Sequence, residues 1–459
     1  MKSQPSREAI GRIPLITDAG QQRLVWLTEH PHAPRYTHPG YNRLTAEGLR
    51  RTRAFADEIK FSPPRWGSGQ TPIWLDDFVE RCFRDVPFYH GYGDRPTNFF
   101  DVPTCDRSDL GRAPWAFVPD TQSLDDLIVY NTSGTTGHPL DILTHADTLA
   151  MYVPLLQAAL ALHNLTLEGG ADRVALAYVG FQKTTYTYAT VMPLLDQAGF
   201  VKINLNPDEW RDSADRAKFL DDCNPLVYTG TPVAFAELAK LPLTTRPRAL
   251  ASTSMTLTPA LAQSLETHFG CPVLDMYSLN ESGMVSVKVS SVMSSDDVPP
   301  STFHLLQPHL YVEVLDSEGQ PCASGEHGEI TLTGGFNPCL PLLRYRTGDY
   351  AALEFIGQQP ILMGLEGRPP IVFRTRAGQP INNIDISIAL RHLPIAQYAL
   401  HQSADGALRM KVHDASAALE EIRLLLLALF GAHQALTIEE TKALDLPGGK
   451  LIQYTSDLQ

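Results

Sequence analysis

The sequence predicts an α/β protein in which a large N-terminal α/β domain precedes a small α+β domain. Strand-like and helix-like segments alternate between residues 73 and 366, which is typical of layered α/β structure. Residues 367–459 instead show a hairpin pattern followed by a helix pattern. At 459 residues the chain is long enough for two or three domains.

Residues 1–72 form a first stretch that is rich in Pro, His and Arg and ends in a linker-like cluster at residues 63–69. A helix is predicted to open at Thr45 and to reach about Ile59. The stretch carries no catalytic motif. A packing appendage and a contact in a homodimer are the two interpretations, which makes residues 1–72 an N-terminal extension.

The first chemically informative motif follows a predicted strand at residues 127–130. Residues 131–139 (NTSGTTGHP) combine hydroxyls with glycines, whose missing Cβ lets backbone N–H groups approach an anion closely. No Lys-Ser or Lys-Thr pair follows the last glycine, so this is not the common P-loop. By itself, a loop of this composition is more often a turn than a phosphate site. The candidate phosphate ligands are Thr132, Ser133, Gly134, Thr135, Thr136 and Gly137.

Three later motifs change that interpretation. The pattern predicts a helix with Thr258 as its N-cap and Gly270 at its end, followed by a buried strand at residues 271–276. That strand would deliver Tyr277 and Glu281 to its carboxyl end, where open α/β sheets bind ligands. A second strand-like run, residues 329–334, precedes the YRTGD sequence that ends at Asp349. Near the C-terminus, the sequence LPGGK ends at Lys450.

The third stretch predicts the small α+β domain. Residues 397–402 and 407–413 alternate in polarity around Asp405-Gly406, a strong hairpin signal. A helix is predicted from Ser416 to Phe430, closed by Gly431.

Composition excludes several classes of function. The net charge of −14 argues against nucleic acid or an anionic membrane as the main partner, because both attract a basic surface. The sequence has no apolar run of about eighteen residues, so no membrane span is predicted. The first residues lack an apolar signal core, and the six cysteines form no C-x-x-C pair. These features predict a cytoplasmic protein with reduced, mostly buried thiols, while a metal site built from distant residues stays open.

Taken in order, the four motifs resemble those of the adenylate-forming superfamily, which includes acyl-CoA synthetases, peptide-synthetase adenylation domains and luciferases. Residues 86–89, 229–232 and 341–346 are similar to stretches of its phenylacetate-CoA ligase branch. The resemblance runs from about residue 75 to the end. It implies a large domain at residues 73–366 and a small mobile lid domain at 367–459.

The resemblance also implies a reaction and its cofactors. A carboxylic acid attacks the α-phosphorus of ATP, giving an acyl-adenylate and pyrophosphate. Electrostatic stabilisation is then the main catalytic contribution, because negative charge gathers on the phosphates. The loop at 132–137 would bind the β- and γ-phosphates, and Glu281 would bind Mg²⁺, a cation that prefers hard oxygen ligands.

Further roles follow for residues that match the family's pattern. Asp349 would accept hydrogen bonds from the ribose hydroxyls, and Lys450 would bridge the carboxylate and the α-phosphate. Tyr277 would stack on or flank the adenine, although a core aromatic is the alternative. Asn280 and Arg368 complete the predicted nucleotide contacts.

The chain departs from the family's pattern at several places, including Ser278, which stands where the family usually has glycine. Asn280 replaces the usual Ser or Thr, and residues 252–255 (STSM) stand where relatives carry Gly-Ala-Glu near the adenine. Pro369-Pro370 follows Gly367-Arg368 at the expected hinge, where proline fixes φ and removes a donor. Because of the departure at the hinge, the sequence does not determine the second half-reaction, in which the acyl group is transferred from the adenylate to an acceptor. Its acceptor could be the thiol of coenzyme A or of a carrier protein, or an amine, and a nucleotide-binding member without turnover is a further alternative.

The resemblance implies that the stretch between the phosphate loop and the adenine strand lines the acid pocket. Residues 181–188 are the candidate stretch here, with Phe181, Tyr186 and Tyr188 as its candidate walls. Aromatic rings interspersed with hydroxyls favour a flat aryl acid with polar substituents over a long alkyl chain. Small-molecule carboxylic acid and ATP are therefore the predicted partners.

Overall fold

The computed structural model describes residues 13–125, 127–131, 140–288, 302–367, 371–413, 415, 418–442 and 451–458. The helices are α1 (Asp18–Glu29), α2 (Ala46–Phe61), α3 (Leu75–Asp85), α4 (Pro87–His90), α5 (Arg107–Arg112), α6 (Ala146–Ala150), α7 (Tyr152–Ala161), α8 (Asp215–Cys223), α9 (Pro232–Ala239), α10 (Pro259–Phe269), α11 (Asn383–Leu390) and α12 (Leu419–Phe430). The strands are β1 (His38–Pro39), β2 (Ile128–Asn131), β3 (Asp141–Thr144), β4 (Val174–Gly180), β5 (Tyr188–Met192), β6 (Ala198–Asn204), β7 (Val227–Gly230), β8 (Ala249–Thr253), β9 (Val273–Leu279), β10 (Gly283–Lys288), β11 (Thr302–Leu305), β12 (Leu310–Leu315), β13 (His327–Gly334), β14 (Leu342–Ile356), β15 (Gln359–Glu366), β16 (Val372–Arg374), β17 (Pro380–Asn382), β18 (Gln397–Gln402), β19 (Leu408–His413), β20 (Leu436–Glu440) and β21 (Tyr454–Ser456).

A sheet of 13 strands is the framework of the described chain, in the order β1-β5-β6-β4-β7-β8-β9-β10-β11-β15-β14-β13-β12. Strands β6, β4, β7, β8 and β9 run parallel to one another. From β9 to β12 the neighbouring strands pair antiparallel. The carboxyl ends of the parallel strands therefore mark the edge where a ligand site is expected.

Hydrophobic side chains cover both faces of the parallel strands. On one face, Val179 and Ile203 belong to a core cluster with side chains of α1, α8, α9 and α10. On the other face, Leu176 and Leu274 pack with side chains of α2 and α7. Because successive side chains of a strand point to opposite faces, strands covered on both sides read as nearly continuous apolar runs. The α/β class predicted from the sequence is confirmed.

Residues 13–72 share the cores of the large domain. Leu27 of α1 is fully buried in the cluster around Val179, and Ile59 of α2 lies in the cluster on the opposite face. Strand β1 adds to the sheet edge by pairing His38 with Tyr188 of β5. This packing agrees with the packing interpretation of the N-terminal extension, while a dimer contact stays a prediction.

The antiparallel strands and the C-terminal part have separate cores. The core of the antiparallel strands includes Tyr89, Phe117 and Tyr345. Side chains of α3, α5 and strands β10–β15 pack around these rings. In the C-terminal part, strands β20-β19-β18-β21 form a small sheet. Helices α11 and α12 bury Ile386 and Ile422 against it, as the predicted α+β fold requires. The exact domain boundaries at residues 72 and 366 stay predictions.

Several local predictions are confirmed in detail. Thr258 caps α10 by accepting a hydrogen bond from the Leu261 N–H at 3.3 Å, and Gly270 ends the helix in the left-handed region at φ +70°. The predicted hairpin pairs Gln397 with His413. The helix predicted from Ser416 is described from Leu419, and it ends at Phe430 before Gly431, as expected.

Two bulk properties of the described chain follow. Five of the six cysteines are buried and Cys322 is half-buried, which confirms the prediction of mostly buried thiols. In the ranges that the structure describes, no helix has both the length and the apolar character that a membrane span needs.

Candidate active site

A cleft of about 2130 Å³ lies at the carboxyl ends of the parallel strands. Strand β14 contributes Asp349 to its lining, the N-terminal extension contributes Tyr41, and the C-terminal domain contributes Asn383 and Tyr398. Pockets for one small ligand are commonly about 300–1,000 Å³. The cleft is therefore large enough for a nucleotide together with a second substrate.

The fold brings most of the described site candidates together in this cleft. Those that line it are Tyr186, Tyr188, Tyr277, Asn280, Glu281 and Asp349. The loop candidates Thr132, Ser133, Gly134, Thr135, Thr136 and Gly137 lie outside the described residues, as do Arg368, Pro369-Pro370 and Lys450. Their described neighbours Tyr130, Leu140 and Leu451 line the cleft. The roles of the undescribed residues stay predictions.

Two of the candidates form a direct pair. The Tyr277 hydroxyl on β9 donates a hydrogen bond to Oδ2 of Asp349 on β14 at 2.9 Å. Tyr277 is buried, with 8% of its surface exposed. Burial, together with the negative charge of Asp349, holds the pKa of Tyr277 well above its usual range. Tyr277 thus keeps its proton and orients the Asp349 carboxylate by donating a hydrogen bond to it.

The backbone around Asp349 is fixed by a second carboxylate. Gly348 adopts φ +78°, a conformation that glycine reaches without a Cβ penalty. Its N–H donates to Glu329 Oε1 at 3.0 Å, and Glu329 also accepts from Nε of Arg346 at 2.7 Å. The Asp349 N–H donates to the Thr347 hydroxyl at 3.1 Å. These contacts place Asp349 on an ordered turn within a long strand.

Glu281 is held by two different donors. Its Oε1 accepts from the Tyr345 hydroxyl at 3.2 Å and from Nη1 of Arg107 at 3.3 Å. Glu281 is only 6% exposed. Burial, reinforced by Glu281, holds the pKa of Tyr345 well above its usual range, so Tyr345 stays a donor. A buried carboxylate is costly unless it is paired and hydrogen-bonded, and both conditions are met here.

The donor chemistry of Glu281 fits Mg²⁺. This cation is usually bound by one or two carboxylates together with substrate phosphates, and it keeps several waters. Within the described ranges, no group of three or more His, Cys, Asp or Glu could hold a metal by itself. A single buried carboxylate that lines the cleft provides the kind of partial ligand set that phosphates complete. Because Tyr277, Glu281 and Asp349 are predicted to contact a nucleotide, we call these three residues, together with the two donors that hold Glu281 (Tyr345 and Arg107), the nucleotide side of the cleft.

Hydroxyls occupy the edge next to the nucleotide side. Thr253 at the end of β8 and Ser278 on β9 share a hydrogen bond of 3.1 Å between their oxygens. Ser254 follows with φ +70°, and Asn280 is exposed in the turn after β9. Of the positions where this sequence departs from the family's pattern, Thr253, Ser254, Met255 and Asn280 line the cleft, whereas Pro369-Pro370 lie outside the described residues.

The opposite end of the cleft is aromatic. Tyr186 stacks on His38 with ring centroids 5.1 Å apart and an interplanar angle of 7°, and it lies 5.7 Å from the Tyr188 ring. Phe181, predicted as a pocket wall, instead packs against the core cluster around Val179. Strand alternation explains the difference, because Phe181 continues the face of Ala177 and Val179. Tyr178, on the other face of β4, lines the cleft instead.

Several residues that complete the site could not be predicted from sequence patterns. Arg107 and Glu281 are 174 positions apart in the chain, so no local pattern could indicate their pairing. The only available signal was the aspartate N-cap of α5, which places Arg107 at the start of a helix through a capping box. Tyr345 begins the YRTGD motif and Glu329 begins the strand-like run at residues 329–334, but the polarity pattern of a strand does not separate either of them from core positions.

Comparison with known proteins matches the chain to one sequence family and to solved structures of the same fold. A sequence model of the family described as "AMP-binding enzyme" matches residues 100–337. The phenylacetate-coenzyme A ligases of Escherichia coli (strain K12) and Pseudomonas putida are 33% and 31% identical to the chain over 97 residues. Each match covers 21% of this chain and 21% of the relative, so it spans about a fifth of the relatives' length. The predicted resemblance to this superfamily and branch is confirmed.

Solved structures support the fold. A 2-hydroxyisobutyryl-CoA ligase in the postadenylation state, in complex with 2-HIB-AMP, gives a TM-score of 0.61 at 17% identity and covers 92% of this chain and 91% of that chain. The open conformation of that ligase, with 2-HIB-AMP and CoA, gives 0.51 at 17% identity and covers 92% and 93%. At these identities the similarity establishes the fold and leaves the substrate undetermined.

Proposed function

The chain belongs to the AMP-binding enzyme family, and from that premise we propose that it activates a carboxylic acid with ATP and transfers the acyl group to a thiol. The observation that carries the proposal is the convergence of Glu281 and Asp349 on one cleft. Each carboxylate accepts a hydrogen bond from a buried tyrosine, at 3.2 Å and 2.9 Å respectively. Both are therefore oriented before a nucleotide arrives.

In the first half-reaction, a carboxylate oxygen of the acid forms a bond to the α-phosphorus of ATP. The bond between that phosphorus and the bridging oxygen breaks, and pyrophosphate leaves with the electron pair. Asp349 would hold the ribose hydroxyls so that the α-phosphate faces the acid. Preorganised positioning of this kind lowers the barrier, because little reorganisation remains in the transition state.

Glu281 would hold Mg²⁺ beside the phosphates, where the bound cation would neutralise part of their charge. Arg107, on the same carboxylate oxygen, fixes the side chain and contributes a further positive charge near the phosphates. Lys450 is proposed to bridge the attacking carboxylate and the α-phosphate.

In the second half-reaction, a thiolate sulfur forms a bond to the acyl carbon and AMP leaves with the electron pair of the C–O bond. The thiol proton passes to solvent before the attack. Coenzyme A is the proposed acceptor. The aromatic lining by Tyr186 and Tyr188 supports an aryl acid as the substrate class.

Product analysis tests the proposal. The purified chain is incubated with ATP, Mg²⁺ and a panel of aryl, alkyl and amino acids, first without an acceptor and then with coenzyme A or an amine. We expect mass spectrometry to show acid-dependent AMP and an acyl-CoA from an aryl acid. Formation of amide products would show that the acyl group is transferred to an amine and not to a thiol. The absence of acid-dependent pyrophosphate and AMP across the panel would contradict activation itself.

A further inference from the structure

A lysine lies in the centre of the aromatic end of the cleft. In the antiparallel pair of β5 and β6, Lys202 is opposite Tyr188. In the parallel pair of β4 and β6, it is opposite Tyr178. Neighbours in register share a face of the sheet, and all three side chains line the cleft. We call Tyr178, Tyr188 and Lys202 the acid side of the cleft.

The surroundings of Lys202 contain aromatic and apolar groups. Its Nζ lies 5.6 Å from the ring centroid of Tyr178, within range of a cation–π contact. The adjacent row along the sheet holds Phe200 and Leu176, which pair with each other and also line the cleft. Lys202 is half-buried, and burial lowers its pKa. Among the described residues, no carboxylate forms an ion pair with it.

This arrangement is unlike that of the other cationic side chains in the cleft. Arg107 is paired with Glu281, and Arg346 is paired with Glu329. A charge that is partly removed from water costs free energy unless an opposite charge or hydrogen bonds compensate it. Within the described residues, the protein offers Lys202 only aromatic rings, so a ligand that displaces water from this half-buried side chain must itself supply the compensating group.

The position of Lys202 separates it from the nucleotide side. Strand β6 is four strands away from β9 in the sheet, which corresponds to about 19 Å at a strand spacing of about 4.8 Å. The side chains of Tyr277 and Glu281 belong to β9 and the turn after it. A nucleotide held there would place its adenylate between the two sides. Lys202 would then face the part of the acid that is distal to the reacting carboxylate.

We propose that Lys202 recognises a second carboxylate on the acid, so that the substrate class is an aryl acid carrying an additional anionic group. The inference rests on the proposed function for the identity of the cleft. Tyr178 and Tyr188 would contact the two sides of the aromatic ring, and the ammonium would pair with its distal carboxylate. A site built around a polar contact rejects analogues that lack the partner, because its own polar group is left unpaired.

The test compares three probes that differ only at the distal position: 4-carboxyphenylacetate, 3-carboxyphenylacetate and 4-methylphenylacetate. Binding of each probe is measured by isothermal titration calorimetry, and kcat/KM by acid-dependent pyrophosphate exchange. The proteins are the wild type, Lys202→Met, Lys202→Gln and, as a control, Lys411→Met at an exposed position of β19. Thermal unfolding of each variant checks that it is folded.

We expect the wild type and Lys411→Met to bind at least one carboxylated probe about tenfold or more tighter than the methyl probe. Both Lys202 variants should lose that preference. An equal loss for all three probes would place Lys202 on the reacting carboxylate and overturn the inference, as would an unchanged preference. If carboxylate-selective binding depends on Lys202 but no probe supports exchange, the inference stands and the proposed function fails. If exchange occurs without carboxylate preference, the inference fails and the proposed function stands.

Discussion

The two sides of the cleft treat charge differently. On the nucleotide side, Asp349 and Glu281 each accept from a buried tyrosine, and Arg107 shares the Glu281 carboxylate. On the acid side, Lys202 lies against a tyrosine ring and has no carboxylate partner among the described residues. The nucleotide side is organised before any ligand binds. On the acid side, the positive charge of Lys202 would be paired only when a ligand binds.

This difference separates two requirements of an acid-activating enzyme. Phosphate chemistry is the same for every substrate, so fixed donors and acceptors suit it, because they need little reorganisation in the transition state. Choice of the acid depends on groups that bind only the correct substrate. Substitutions on the nucleotide side should therefore affect activation of every acid, whereas substitutions on the acid side should affect the choice of acid.

The largest effect is expected at Lys450. Replacing Lys450 with Ala removes a positive charge at the forming bond, so acid-dependent pyrophosphate exchange should fall about a hundredfold or more, as with other losses of one transition-state donor. The matched control is Lys442→Ala, an exposed lysine of the same segment, which should exchange at the wild-type rate. Equal rates for the two variants would remove Lys450 from the mechanism.

The next effect is expected at Glu281. Glu281→Gln keeps an oxygen that can accept from Tyr345 and Arg107, but it removes the negative charge that Mg²⁺ prefers. Exchange should slow by about tenfold or more, and the Mg²⁺ concentration for half-maximal rate should rise. Glu318→Gln, at an exposed turn, serves as the control. An unchanged Mg²⁺ dependence of Glu281→Gln would contradict the assigned ligand.

A smaller effect is expected from Tyr277→Phe. The substitution keeps the buried ring and deletes the hydrogen bond to Asp349, a contact that contributes about 0.5–1.5 kcal/mol. KM for ATP should rise about two- to thirteenfold, which is that free energy converted by RT. In an Asp349→Asn background the same substitution should have less effect, because the two residues act as a pair. Full additivity of the two changes would show that the hydrogen bond does not orient Asp349.

The smallest effect concerns the stability contribution of Lys202. Burial lowers the pKa of Lys202 from its usual 10.5, so between the two pKa values the folded state binds fewer protons than the unfolded state. Stability of the wild type therefore rises with pH through that window. Lys202→Met should unfold at a Tm about 1–2 °C above the wild type at pH 7, and the gap should narrow as the pH approaches the usual lysine pKa.

A saturating concentration of a carboxylated aryl acid should reduce or reverse the Tm difference between Lys202→Met and the wild type. The reason is that a ligand that binds only the folded state stabilises it. With 4-carboxyphenylacetate, the wild type should gain more than Lys202→Met. Equal Tm increases for both proteins would contradict pairing of Lys202 with the ligand's carboxylate, and with it the contrast between the two sides of the cleft.

Much of the framework could be predicted from local signals. Thr258 and Gly270 mark the ends of α10 because capping and a left-handed C-cap act over one helical turn. The hairpin around Asp405-Gly406 depends on turn chemistry that is equally local. The ordered motifs also predicted that Tyr277, Glu281 and Asp349 would meet in one site, and the three residues do line the same cleft.

The remaining features depend on contacts between distant segments. Arg107 and Glu281 come together only in the folded chain, and no periodicity in the sequence indicates that contact. Strand β1 has two residues, too few to show alternation. Phe181 was assigned to the pocket because its neighbours are aromatic, although its face was already set by Ala177 and Val179. The position of Lys202 in the cleft could not be predicted, because a single lysine in an apolar strand does not show which face of the sheet it occupies.

The central claim is that Glu281 and Asp349 hold the same nucleotide. A crystal structure of the chain with Mg²⁺ and α,β-methylene-ATP tests it most directly. We expect ribose hydroxyls at about 2.6–3.2 Å from the Asp349 carboxylate and Mg²⁺ at about 2.1 Å from Glu281. A nucleotide that binds with its ribose away from Asp349 and its phosphates away from Glu281 would contradict it.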